Sequence, residues 1–177
     1  AAGSVRWRCP LKDNGRMARI FVTGSADGLG QMAAQRLIAS GHEVVLHARS
    51  ADRGRQALLA VPGAQQAIAG DLSSIAATRS VAEQANAIGR FDAVIHNVGV
   101  GYREARSETD DGVEHVFAIN VLAPYLLTAL MHRPGRLIYL SSGMHRCGGP
   151  GLPAPQWRQP NGTGAAAATT IRSGARG

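Results

Sequence analysis

The chain has 177 residues, 45% of them hydrophobic and 18% charged, and carries a net charge of +7. This is enough apolar material for one domain with a true core, and the absence of any run of 18 apolar residues argues against a membrane-spanning helix. The positive charge lies in the flanks (+3 in residues 1–16, +6 in 132–177), leaving −2 for residues 17–131, so the patterned part of the chain is not a nucleic-acid surface.

Residues 1–16 show no period and contain Pro10 and Gly15; they are expected to be a loose basic arm, with Met17 standing where a natural start would fall. From there strand and helix signals alternate. RIFVT (19–23) is a short buried strand. GLGQMAAQRLIAS (28–40) follows with helix formers, and its apolar residues Leu29, Met32, Ala33, Leu37 and Ile38 have helical spacing, closed by Gly41. EVVLHA (43–48) is a second strand, and DRGRQALLAV (52–61) a short helix stopped by Pro62 and Gly63. QQAIAGD (65–71) is a weak third strand. SSIAATRSVAEQANAIG (73–89) is a helix with serines placed to cap it, and FDAVIHNVG (91–99) a fourth strand. TDDGVEHVFAINVLAPYLLTALM (109–131) predicts one long helix with acids in its first turn. GRLIYLSS (135–142) is a fifth strand.

Such alternation predicts βαβ units and a parallel sheet, an α/β doubly wound fold over residues 17–142, and the unbroken apolar runs DAVIH and RLIYL fit strands covered on both faces. Residues 143–177 hold eight glycines, four of the eight prolines and the run GAAAATT, and are expected to be an irregular tail.

VTGSADGLG (22–30) places Gly24, Gly28 and Gly30 between a strand and a helix. A strand that turns into a helix there aims free N–H groups and the positive helix end at one point, which suits a pyrophosphate. The spacing is G-x3-G-x-G rather than G-x-G-x-x-G, and no GK[ST] follows, which excludes a Walker-type loop. After the second strand a dinucleotide-binding chain reads the adenosine ribose. Arg49 and Ser50 stand there with no acid before Asp52, which favours the 2′-phosphate of NADP over NAD; Asp27 in the loop acts against it.

TGSADGLG together with GDLSS, HNVG, INVLAP and LIYLSSGMH resembles the short-chain dehydrogenase/reductase family, and in particular its retinol-dehydrogenase-like and protochlorophyllide-reductase-like branch, over about residues 17–147. The resemblance implies a Rossmann-type sheet of order 3-2-1-4-5 and NAD(P)-dependent oxidation or reduction of an alcohol/carbonyl pair. It implies that Thr23, Gly24, Ser25, Gly28, Leu29 and Gly30 form the pyrophosphate loop, and that Asp71 and Leu72 lie beside the adenine. Asn97, Val98 and Gly99 match the family's N-A-G segment along the cofactor, with Val98 in place of alanine. Asn120 matches the helix asparagine that holds a water in the proton relay, and Ser142 the serine that hydrogen-bonds the substrate carbonyl; strand alternation favours Ser142 over Ser141.

The family's catalytic tyrosine and the lysine four residues later should follow that serine. Here Tyr139 is the last tyrosine, and Lys12 is the only lysine. The sequence therefore reads as a truncated or frameshifted relative with half a catalytic set, in which the fifth strand is an exposed apolar edge. The rival reading is a non-catalytic NADP-binding module or an inactive fragment. A metal centre has no support in the spacing of the six histidines, and a serine hydrolase lacks G-x-S-x-G. The expected partner is a small alcohol or carbonyl substrate. Two distant cysteines, Cys9 and Cys147, without a signal-like leader, point to the reducing cytoplasm.

Overall fold

The computed structural model describes residues 17–101 and 107–142. The arm expected at 1–16 and the tail expected at 143–177 lie outside the described residues. Five strands form one parallel sheet in the order β3-β2-β1-β4-β5: β1 (Arg19–Val22), β2 (Glu43–Ala48), β3 (Gln66–Ala69), β4 (Ala93–His96) and β5 (Arg136–Tyr139). This is the order that the sequence pattern predicts. In register, β1 runs with Arg19 beside Glu43 of β2 and Ile20 beside Ala93 of β4.

Helices cover both faces of the sheet over β1, β2 and β4, whereas β5 has no buried residue, so RLIYL is not the doubly covered strand that its apolar run suggests. Helices α1 (Gly28–Ala39) and α2 (Ala51–Ala60) lie over one face, where Ile20, Val22, Val44 and Leu46 pack with Ala34, Ala57 and Val61. Helix α3 (Ile75–Ile88) and the helical stretch from His115 to Leu130 cover the other, where Phe21, Val45, Ile68 and Val94 pack with Val81, Ala85, Ala123 and Leu127. Alternate residues of one strand thus enter opposite cores, and this is why these strands are apolar throughout.

Two further expectations are corrected. The apolar face of α1 is not the predicted stripe: Leu29 is 71% and Met32 57% exposed, while Gly30 and Ala34 are buried and Leu37 and Ile38 half-buried. Close packing on the sheet needs the small residues of this helix, and a count of large apolar side chains misses that. The long helix does not begin at Thr109. A turn spans Thr109–Gly112, Glu108 bridges Glu114, and Glu114 caps α4 (His115–Phe117) by accepting from the Phe117 amide. A π-helical segment (Ala118–Leu122) then leads into α5 (Ala123–Leu130). The acids of 109–111 act elsewhere: Asp111 accepts from the Ile75 amide at 2.7 Å, at the start of α3.

Gly41 ends α1 as predicted, with φ +84° and its amide on Ile38 O. A Cβ there would meet nothing within 4 Å, so Gly41→Ala isolates backbone strain. It is expected to cost about 1 kcal/mol in urea unfolding; an unchanged midpoint would contradict the assigned conformation.

Among the described residues nothing pairs with the outer side of β5, where Leu137 is 37% and Leu140 50% exposed.

Candidate nucleotide site

Because all five strands are parallel, their C-terminal ends share one edge of the sheet. The loops leaving them are residues 23–27, 49–50, 70–74, 97–101 and 140–142; these hold most of the predicted site residues, with Gly28, Leu29 and Gly30 at the start of α1 and Asn120 in the helical stretch before α5. The chain turns to opposite sides after β1 and β4, which leaves a crevice at that point.

The glycine loop is built from both neighbouring strands. On the β4 side the Thr23 amide donates to Ile95 O at 3.0 Å, and Thr23 Oγ1 accepts from the amides of Asn97 and Val98 at 3.0 and 3.2 Å. Asn97 Nδ2 donates to the carbonyls of Thr23 and Gly24 at 3.1 and 3.0 Å. On the β2 side Ser25 Oγ donates to Val22 O and accepts from the His47 amide, at 2.8 and 2.9 Å. Thr23 and Ser25 are 1% and 0% exposed, so their side chains, with that of Asn97, shape the loop from beneath.

The three glycines have different reasons. Gly24 has φ +62°, and a Cβ there would lie 2.5 Å from Val98 Cγ2. A Cβ at Gly30 would collide with the Gly24 carbonyl and approach Asn97 Nδ2 to 2.5 Å. Gly28 has φ +55° with nothing within 4 Å of its missing Cβ, so the loop is open there. Beside it, α1 starts with no side-chain cap, whereas Ser50, Ser74 and Glu114 cap α2, α3 and α4. A helix start left with its donors free, next to an open glycine, fits an anionic oxygen cluster.

Arg49 is exposed directly after β2 and has no ion-pair partner among the described residues. Ser50 spends its hydroxyl on the Arg53 amide at the start of α2. Arg53 in turn pairs with Asp27, so the loop carboxylate that opposes a phosphate is countered by a cation. Sequence reasoning missed Arg53, because nothing in its spacing pairs it with a residue 26 positions earlier.

Asp71 Oδ1 accepts from the Ser73 amide and hydroxyl at 2.9 and 2.8 Å, turning the chain into α3, while Leu72 is buried in the core beneath. Asn120 lies in the π-helical segment, a distortion frequent at functional sites. Its side chain makes a two-point contact with one residue: Oδ1 accepts from the Val100 amide at 2.9 Å and Nδ2 donates to Val100 O at 3.0 Å. A Cβ at Gly99 would sit 3.6 Å from the same Oδ1. Asn120 therefore fixes the segment that follows Asn97, Val98 and Gly99. Ser141 and Ser142 are both exposed, and β5 ends before them at Tyr139, so strand alternation does not choose between them.

Two buried histidines lie below this edge. His47, 2% exposed, is kept neutral by desolvation, which lowers its pKa against the raising effects of the Gly70 carbonyl and Asp71. His96, 5% exposed, stacks on Tyr139 at 4.8 Å, and burial pushes its pKa down to about 4. Thr128 Oγ1 lies between them, 3.3 Å from His96 Nε2 and 2.7 Å from the Tyr139 hydroxyl.

The family model for short chain dehydrogenases matches residues 18–154. An uncharacterised oxidoreductase of Emericella nidulans is 57% identical over 132 residues, covering 73% of this chain and 52% of the relative. The short-chain dehydrogenase chyC of Penicillium rubens is 48% identical over 130 residues, 73% of this chain and 50% of its own. The chain thus spans about half the length of the curated relatives it matches. Among solved structures, a blue fluorescent protein from a metagenomic library in complex with NADPH superposes with TM-score 0.59 at 28% identity, over 73% of this chain and 57% of that one. The match runs through the glycine loop, the Asn97 segment and the strand before Ser142, on a sheet of the same winding: the chain belongs to the short-chain dehydrogenase/reductase family.

Proposed function

We propose that this chain forms the nucleotide-binding part of an NADP(H)-dependent oxidoreductase acting on an alcohol/carbonyl pair. The observation that carries the reading is the uncapped start of α1 behind the open Gly28 turn, with the unpaired cation Arg49 one strand away. The loop of Thr23, Gly24, Ser25, Gly28, Leu29 and Gly30 would hold the pyrophosphate through its amides. Arg49 would meet the 2′-phosphate, with Ser50 shaping that corner as the α2 cap. Asp71 and Leu72 would border the adenine, and Asn97, Val98 and Gly99 would lie along the nicotinamide half. When bound, the nucleotide supplies or accepts a hydride. Ser142 would hold the substrate oxygen, and Asn120 would keep Val100 and the preceding segment in place.

Reduction of a carbonyl also needs an acid for the developing oxyanion. The 177 residues contain no tyrosine after Tyr139 and no lysine after Lys12. This observation favours a second reading, nucleotide binding without turnover. The two separate in one assay: the chain is mixed with NADPH and a panel of aldehydes and ketones, and nucleotide absorbance is followed. Protein-dependent loss of NADPH supports the enzyme; tight binding with a flat trace supports the module. We assign the chain to the cytoplasm on its two widely spaced cysteines; no helix among the described residues is long and apolar enough to cross a membrane.

Arg49→Ala is expected to weaken NADPH binding roughly tenfold or more, the worth of a lost charge-assisted phosphate contact, and to leave NADH binding unchanged. Equal losses for both nucleotides in titration calorimetry would remove Arg49 from the phosphate site.

A further inference from the structure

β2 carries one polar side chain in an otherwise apolar interior. Val44, Val45 and Leu46 are fully buried, and His47 follows them at 2% exposure, with its ring edge-on to Phe21 at 6.4 Å. Burial of an imidazole among apolar residues is unfavourable unless both nitrogens find partners. Both do. Nδ1 lies 3.1 Å from the Gly24 amide and Nε2 lies 3.0 Å from the Gly70 carbonyl. An amide can only donate and a carbonyl can only accept. The ring must therefore be neutral, with its proton on Nε2.

The same residue binds the loop through its backbone: its amide donates to Ser25 Oγ at 2.9 Å and its carbonyl accepts from the Ser25 amide at 3.1 Å. Three of its four hydrogen bonds thus end on Gly24 and Ser25. From the other side Asn97 Nδ2 holds the carbonyls of Thr23 and Gly24. The amide of Gly24 is tied to β2 and its carbonyl to β4, across a residue at φ +62°. Loss of one tie frees the left-handed glycine to rotate, and the loop amides beyond it lose their common aim.

We infer that His47 is a positioning residue for nucleotide binding: its imidazole holds the Gly24 amide and so sets the pyrophosphate loop from the β2 side. The inference rests on the proposed NADP(H) reading. It separates His47 from Arg49, which would act on the 2′-phosphate and not on the loop.

The test uses the full chain with His47→Leu, which removes both ring contacts; His47→Asn, whose carboxamide oxygen can replace Nδ1; and His47→Gln, whose longer chain reaches the Gly70 side instead. Titration calorimetry is run with NADPH and with adenosine 2′-monophosphate, which has no pyrophosphate. Exchange of the Gly24 amide is followed by NMR without ligand. His47→Leu is expected to weaken NADPH about tenfold or more, to leave adenosine 2′-monophosphate within about twofold, and to speed Gly24 exchange. His47→Asn is expected to restore both readouts. If the leucine variant does not fold, the asparagine and glutamine variants carry the comparison, asparagine retaining NADPH affinity and glutamine losing it. Wild-type NADPH affinity in the leucine or glutamine variant, or equal weakening of both ligands, overturns the role of His47 alone. No NADPH binding by the wild-type chain overturns the nucleotide reading and the inference with it.

Discussion

Gly30→Ala is expected to abolish NADPH binding and to destabilise the domain by roughly 3 kcal/mol, the upper range for overpacking a buried site. The added methyl would collide with the Gly24 carbonyl and press on Asn97 Nδ2 at 2.5 Å. Neither neighbour yields easily. The Gly24 carbonyl is backbone and already bonded to Asn97, and Asn97 also holds Thr23. Relief therefore means lifting α1 off the sheet or releasing the loop, and either change moves the amides that would face a pyrophosphate. Urea unfolding and NADPH titration of the same variant check both parts; wild-type affinity would show that the helix start is not the phosphate site. Gly28→Ala is the matched control, since its Cβ meets nothing within 4 Å and only the φ of +55° opposes it.

Acid should weaken the fold before the carboxylates titrate. His96 has its pKa lowered from 6.5 to about 4 by burial, and its Nδ1 has no hydrogen-bond partner among the described residues. Between those values the unfolded chain binds a proton that the folded chain refuses. Stability is then complete above pH 6.5 and falls as pH drops toward 4. His96 alone accounts for about 2 kcal/mol of loss between pH 7.5 and pH 5. His47 is shifted in the same direction, chiefly by desolvation, and adds to the fall. Urea midpoints at pH 7.5, 6 and 5 measure it. His96→Phe should keep the stack on Tyr139 and flatten the profile, losing the share due to His96. A flat wild-type profile from pH 7 to pH 5 would contradict burial of both rings in neutral form.

The sheet was legible in the sequence because parallel strands covered on both faces must be continuously apolar, and RIFV, EVVLHA and AVIH have that form between helix-length segments. The strand-to-helix turn was legible because glycine alone suits the positive φ of Gly24 and Gly28 and the close approach at Gly30. Helix α1 was misread because its contact with the sheet depends on the smallness of Gly30 and Ala34, and hydrophobic periodicity gives weight to Leu29 and Met32 instead. The false start at Thr109 has a similar cause. Asp110 and Asp111 look like a helix's first turn, but a turn with Gly112 at φ +73° intervenes, and Asp111 serves the neighbouring α3. The candidate site positions carry motifs, while partners joined only by the fold leave no local signal. His47 and Arg53 are 23 and 26 residues from the loop atoms they bind, and no local pattern records either contact.

The loop from Thr23 to Gly30 is proposed to hold NADP(H). Thermal unfolding of the purified chain with NADPH, with NADH and with neither tests it most directly, because a ligand that binds only the folded state raises the midpoint by mass action. One cooperative transition is expected, raised by several degrees with NADPH and less with NADH. A cooperative transition that neither nucleotide moves, at concentrations that saturate other members of the family, would contradict the proposal.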